Sequence, residues 1–303
     1  MLTTELARED VLWASWARVA AGTSVPGVDG VTPASFGREL PGLLDELRDD
    51  LLGGRYQASP LRSLTINKNG RRRRLGLPTV RDRIVQRALL RVEDRALGGA
   101  DAESSFAYRR GRSWVDALQR AAEYRDRGLR VVARADVREF FDSVDHGRLS
   151  HMLARQFPAE AVDLLMGWAA APVLAGNVLR QRTVGLPQGA PVSPALANLY
   201  LRPFDAAVHG HPGQLIRYAD DIAVFCRDET EAFVAQAHIS TALASIGLSI
   251  NSNKTYVSSF DRGFAMLGWV FFKQNGWAEE ERSGWRHPLA VARDHPSQIG
   301  VFW

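Results

Sequence analysis

The chain reads as an α+β protein with a mostly antiparallel sheet. Segments of helical period recur along it, short apolar runs of strand length lie at 129–136 and 215–226, and strand-like arms are joined by tight turn signatures at Asn69-Gly70 and Tyr218-Ala219-Asp220-Asp221. With 303 residues, 46% of them hydrophobic, it can bury a sizeable core in one large or two intimate domains.

Taken in order, LAREDVLWASWARVAAG predicts a helix ended by Gly22, and PASFGRELPGLLDELRDDLLGG a second ended by Gly53 and Gly54. SPLRSLTINKNGRRRRLGLP predicts a hairpin with four arginines in its return arm. VRDRIVQRALLRVEDRAL returns to helical period, with Ile84, Val85, Ala88, Leu89 and Val92 inward and its arginines outward. A short basic loop, SFAYRRGRS, then precedes another helix. LRVVARAD alternates, which predicts a half-buried strand ending in Asp136. HGRLSHMLARQF, AEAVDLLMGWAAAPVL, SPALANLYLRPFDAAV and TEAFVAQAHISTALASIG are expected to be helical. NKTYVSSF and AMLGWVFF are expected to be strands.

Net charge is only +4, but its distribution is lopsided: residues 55–134 hold 20 Lys and Arg against 8 Asp and Glu, a local excess of +12. An arginine-dominated block of this size favours a polyanion such as nucleic acid, although a solvated face would carry the same charge. No apolar run of about 18 residues occurs, and the start, MLTTELARED, lacks the basic and apolar blocks of a signal peptide. A soluble, cytoplasmic protein is therefore expected. The single cysteine, Cys226, beside Val224 and Phe225, reads as a small core residue.

The run LIRYADDIAVFC is broken at its centre by two adjacent carboxylates, Asp220 and Asp221. Like charges about 4 Å apart repel by roughly 1 kcal/mol even in water, and by more where screening is weaker. A hairpin here would project both from a sheet end, where something cationic must hold them. Lysine or arginine could do so, but a hard divalent ion with oxygen ligands is more economical, and Asp136 at another strand end offers a third carboxylate. Three carboxylates beside a basic surface point to two-metal phosphoryl transfer. Taken alone, the pair could instead cap a surface hairpin, since Asp is a common turn residue.

Eight segments in order narrow the choice: GVDGVT (27–32), KNGRRRRLGLPTVRDRIVQRAL (68–89), SFAYRRGRS (105–113), RADVREFFDSVDH (134–146), GLPQGAPVSPALANLYL (185–201), YADD (218–221), GLSINSNKT (247–255) and MLGWVF (266–271). On these the chain resembles reverse transcriptases of the bacterial group II intron-like lineage, with GLPQGAPVSP closest in style to the CRISPR-associated and defence-associated branch. The resemblance implies a right-hand polymerase fold with N-terminal helices and fingers over 1–128 and a palm over 129–272, the two interleaved around 150–185. It also implies an RNA-directed DNA polymerase that extends a DNA or RNA primer with dNTPs on an RNA template.

The same resemblance implies roles for particular residues. Asp136, Asp220 and Asp221 match the carboxylates that bind two Mg²⁺ ions, for which Mn²⁺ can substitute, with the Val137 carbonyl as a backbone ligand. Lys254 matches the lysine that protonates departing pyrophosphate. Lys68 and Arg73 match the fingers residues that grip the triphosphate, Gln188 the dNTP contact, and Phe141 the aromatic that rejects a 2′-hydroxyl. One of the adjacent Phe140 and Phe141 must point inward. Gly268 and Trp269 fit the primer grip, and Arg71, Arg72, Arg74, Arg109, Arg110 and Arg112 the nucleic-acid surface, with Trp114 near template. His209 and His211 read as solvated loop residues.

The chain departs from intron enzymes after Phe272, where 31 residues remain, too rich in Pro, Gly and charge to form a helical thumb. The tail 273–303 is expected to stand in place of a full thumb, and a protein partner such as a CRISPR adaptation integrase, a structured RNA or a second copy of the chain to supply the clamp. Spacer acquisition from RNA and antiviral defence are the settings implied. A template-independent or RNA-synthesising nucleotidyltransferase is the alternative that Phe141 opposes. A polymerase-fold RNA-binding scaffold is the alternative that the three retained aspartates oppose.

Overall fold

A computed structural model of the protein describes residues 2–68, 71–97, 103–209 and 212–278. Its strands are β1 Leu61–Lys68, β2 Arg71–Leu77, β3 Val131–Asp136, β4 Val173–Ala175, β5 Val178–Arg180, β6 Gln214–Tyr218, β7 Asp221–Cys226, β8 Tyr256–Ser259, β9 Phe264–Met266, β10 Trp269–Phe272 and β11 Asn275–Ala278. They form three sheets, ordered β2-β1-β4-β5, β6-β7-β3-β8 and β11-β10-β9. All pairings are antiparallel except β1 with β4. The described residues divide into two compact units, one drawn from 1–98 and 141–200 and the other from 99–140 and 201–278.

In the first unit the helix Glu9–Ala20 packs on Val80–Val92, which Thr79 caps by accepting the Asp82 N–H at 3.1 Å. The predicted opening helix is broken: Leu2–Leu6 and Glu9–Ala20 are separated at Arg8, whose backbone is extended and whose guanidinium takes Asp10 at 3.0 Å. The outward arginines of Val80–Val92 also need correction, because Arg83 is buried. Its guanidinium donates to the carbonyls of Pro78 at 3.0 Å and Val25 at 2.6 Å. Gly27 lies against the same turn. A Cβ there would come within 2.6 Å of the Thr79 Cα, so the GVDGVT loop requires glycine at its first position.

The expected helix AEAVDLLMGWAAAPVL stops at Ala169, and its end turns into a small hairpin, β4–β5, with β4 docked beside β1. Pro172 sits where the helix would continue and frees its carbonyl for the Leu61 N–H at 2.7 Å.

The second unit holds the sheet β6-β7-β3-β8. The helix Trp114–Asp126 packs on β6 and β7, while Glu229–Ser245 packs on β3, β7 and β8. The expectation of a half-buried LRVVARAD fails for this reason: residues 131–135 are all buried, because a central strand covered on both faces has no solvent side. AMLGWVFF is likewise two strands, β9 and β10, joined by Leu267 (φ 55°) and Gly268 (φ 76°). Phe225, Phe260, Phe264, Met266, Trp269 and Phe271 share one core, and Cys226 is buried on the opposite face, where burial pushes its thiol up to about 12. No helix among the described residues is long and apolar enough to cross a membrane. The stretch 279–303, most of the tail expected in place of a thumb, lies outside the described residues.

Candidate active site

The three aspartates meet at one end of the β6-β7-β3 sheet. β3 and β7 pair so that Asp136 stands opposite Asp221, and Asp220 occupies the β6–β7 turn between Ala219 and the first residue of β7. The turn is tied to β3 through the Val137 N–H, which donates to the Asp220 carbonyl at 3.3 Å. Residues 85 positions apart are thereby brought into one cluster.

Each outer carboxylate has its own cation. Lys254, in the 3-10 turn Ser252–Lys254, places Nζ 3.0 Å from both oxygens of Asp136, and the Asn251 side-chain amide donates to Oδ2 at 3.3 Å. The Asn251 N–H also donates to the Asp136 carbonyl at 2.7 Å, so both ends of Asp136 are held by the NSNK turn. Asp221 takes Arg134 Nη2 at 2.6 Å. Arg134 lies two residues before Asp136 on the same strand face, is 8% exposed, and gives a second hydrogen bond to the Ile222 carbonyl at 3.2 Å. Its Nε finds no hydrogen-bond partner among the described residues. The Leu267 amide, in the β9–β10 turn, also hydrogen-bonds Asp221.

Burial raises the Asp220 carboxyl above the ordinary carboxylate value, and the charges of Asp136 and Asp221 add to the effect while Lys254 opposes it. Burial raises Asp221 too, although Arg134 pulls it back. Two desolvated carboxylates beside a third form a donor set suited to a hard divalent cation. Among the described residues no group of three or more His, Cys, Asp or Glu side chains is placed so that it could hold a metal ion as it stands. Asp136 is paired with Lys254 and Asp221 with Arg134. The chemistry of the donor set fits a metal.

The other predicted residues fall as follows. In the hairpin, Ile66 pairs with Arg73 and Thr65 with Arg74, so Arg73 shares a face with Ile66 while Arg72 and Arg74 occupy the other; all three are exposed. Lys68 pairs with Arg71 in register, and their side chains lie outside the described residues. Phe140 is buried and Phe141 half-exposed. The Phe141 carbonyl accepts the Leu186 N–H at 2.6 Å, and a Cβ on Gly185 would come within 2.9 Å of that oxygen. The GLPQG loop thus lies directly on the FFDS turn, with Gln188 half-exposed and its carbonyl accepting the Gly76 N–H at 2.8 Å.

The SFAYRRGRS loop is less open than its charge implies. Arg109 donates to the Ser105 carbonyl at 2.9 Å, and Arg112 to the same carbonyl at 3.2 Å while lying over the Phe106 ring; Arg110 is exposed. Trp269 is buried and stacks on Trp114 with ring centroids 5.7 Å apart, so both expected nucleic-acid contacts pack on each other, and Gly268 alone of the grip pair is free of the core. His209 is exposed, and His211 lies outside the described residues. Arg134 and Asn251 were not legible as site residues. Both fall inside the segments RADVREFFDSVDH and GLSINSNKT, but nothing in those segments taken alone marks them as partners of the acids.

A family model described as reverse transcriptase (RNA-dependent DNA polymerase) matches residues 66–271, which include all three aspartates. This chain belongs to the reverse transcriptase family. The reverse transcriptase is 36% identical to protein YkfC of Escherichia coli K12 over 93% of its own length and 85% of YkfC. It is 27% identical to the group II intron-encoded protein LtrA of Lactococcus lactis over 67% of its length and 34% of LtrA. A solved telomerase from Candida albicans, in complex with a fragment of telomeric RNA, shares the fold with a TM-score of 0.58 at 13% identity, over 84% of this chain and 51% of that one. The reverse transcriptase thus spans about a third of LtrA and half of the telomerase chain. Divalent metal ions serve this family generally.

Proposed function

We propose that this RNA-directed DNA polymerase extends a DNA or RNA primer with dNTPs on an RNA template, using two Mg²⁺ ions held by Asp136, Asp220, Asp221 and the Val137 carbonyl. The convergence of three carboxylates at the β6-β7-β3 sheet end carries the reading. When bound, the two ions lower the pKa of the attacking 3′-hydroxyl and stabilise the leaving oxygens of an in-line displacement. The new bond joins the primer oxygen to the α-phosphorus, and the α–β phosphoanhydride breaks to release pyrophosphate.

The chain's own residues bind and orient the reactants. Lys68 and Arg73 take the triphosphate, the latter as a bidentate fork. Gln188 contacts the incoming nucleotide, and half-exposed Phe141 stacks beneath its sugar and excludes a 2′-hydroxyl. Lys254, already at hydrogen-bond distance from Asp136, serves as the proton donor to pyrophosphate. Gly268 grips the primer, and Arg72, Arg74 and Arg110 meet nucleic-acid phosphates. The GLPQGAPVSP motif supports a setting in CRISPR spacer acquisition or antiviral defence, with a protein, a structured RNA or a second copy as partner, which sequencing of copurified RNA and cDNA would identify.

Extension of oligo-dT on poly-rA tests the core of the reading. Wild-type protein should incorporate dTTP and discriminate against UTP, and Asp220→Ala should lower the rate by at least about 10³-fold. Equal synthesis by the two proteins would overturn it.

A further inference from the structure

Asp220 is carried by a turn that should not hold itself. Ala219, the residue before it, has φ 57°, a left-handed conformation that costs a residue with a Cβ roughly 1 kcal/mol. The restraint comes from inside the protein. Arg217, 1% exposed, sends Nε and Nη2 to the two oxygens of Asp205, each at 2.6 Å, and Nη1 to the Ala219 carbonyl at 3.1 Å. Asp205 is 4% exposed and belongs to the helix Ser193–Val208. The main chain of Arg217 is pinned as well: its N–H donates to the Ser104 carbonyl at 2.8 Å, and its carbonyl accepts the Phe106 N–H at 2.9 Å. A planar fork bound at both oxygens of a buried carboxylate has little freedom, so its third hydrogen bond fixes the Ala219 peptide.

We propose that Arg217 and Asp205 are positioning residues for the β6–β7 turn, setting the direction in which the Ala219 peptide presents Asp220. The inference rests on the reading of Asp220 as a metal-binding carboxylate. Stability is a weak reason for such a pair, because a buried ion pair replaced by apolar side chains of similar volume is often neutral or stabilising. Holding a left-handed peptide requires a donor at one defined place. Lysine, a point charge with no fork, cannot serve the Asp205 carboxylate and the Ala219 carbonyl together.

The test separates positioning from folding. In Asp205→Leu/Arg217→Met both charges leave together, so the protein should melt within a few degrees of wild type. Its kcat should nevertheless fall by about 100-fold while KM for dTTP changes by less than about twofold, because displacement of a reacting group by about an ångström costs that much. Amides of residues 218–222 should exchange faster with solvent than in wild type. A folded double variant with wild-type kcat and wild-type exchange of the turn overturns the proposal. Should the double variant not fold, Arg217→Lys should show the same loss of kcat and the same faster exchange, and wild-type values there overturn it equally. Exchange at the turn decides the matter even if Asp220→Ala proves fully active, a result that would sink only the functional reading.

Discussion

Two hairpins of this protein use arginine in opposite ways. In β1–β2, Arg72, Arg73 and Arg74 are exposed and distributed over both faces of the ribbon. In the sheet built on β6–β7, Arg134 and Arg217 are buried, and each is committed to one aspartate at 2.6 Å. Charge on the open ribbon costs little to keep ionised and acts collectively on a polyanion. Charge in the sheet must be matched donor by acceptor, so each pairing also sets a geometry.

The sharpest way to break the contrast is Arg134→Met. It leaves the half-buried Asp221 without its cation, and stability should fall by about 1–3 kcal/mol in chemical denaturation. A loss below about 1 kcal/mol would mean that Asp221 behaves as a surface residue.

The aspartates offer a second route through pH. Asp220 and Asp221 are raised in the folded protein, so between the ordinary value of 3.8 and their folded values the native state binds more protons than the unfolded chain. Stability of the metal-free protein should therefore fall as pH rises through that window, opposite in sign to a salt-bridged carboxylate. Asp220→Asn should flatten the fall and raise the metal-free melting temperature. Mg²⁺ should raise the melting temperature of wild type at neutral pH and leave that of Asp220→Asn nearly unchanged. A metal-free melting temperature that climbs with pH in both proteins would contradict the burial of these groups.

The smallest effect on stability belongs to the open ribbon. Arg72→Ala and Arg74→Ala should each change stability by less than about 0.5 kcal/mol, yet lower the salt slope of RNA binding by about one counterion for each phosphate no longer neutralised. A large loss of stability with unchanged salt slope would move these arginines into the same class as Arg134.

Much of the candidate site is legible in the sequence. YADD and the RADVREFFD segment carry their carboxylates in a recognisable order, and local turn chemistry predicted the β6–β7 hairpin. The partners were not legible, because each depends on register or crossing. Arg134 meets Asp221 only through the β3–β7 pairing, and Asn251 and Lys254 reach Asp136 from 115 and 118 residues away. The half-buried reading of β3 failed because alternation describes one strand and cannot report what covers its second face. That Trp114 and Trp269 stack on each other is a tertiary fact that the sequence around neither residue reports.

By itself the sequence determined the α+β class, the order of the motifs and the three acids on which the chemistry depends, since these follow from local period, turn preference and residue type. Only the tertiary structure decided which cation faces which acid, that Arg83, Arg134 and Arg217 lie inside, and that a left-handed alanine is held from a helix 14 residues earlier in the chain. The physical reason is desolvation. A charge reveals its type in the sequence, but the cost of burying it, and therefore the need for a partner at a defined distance, exists only once the chain has closed around it.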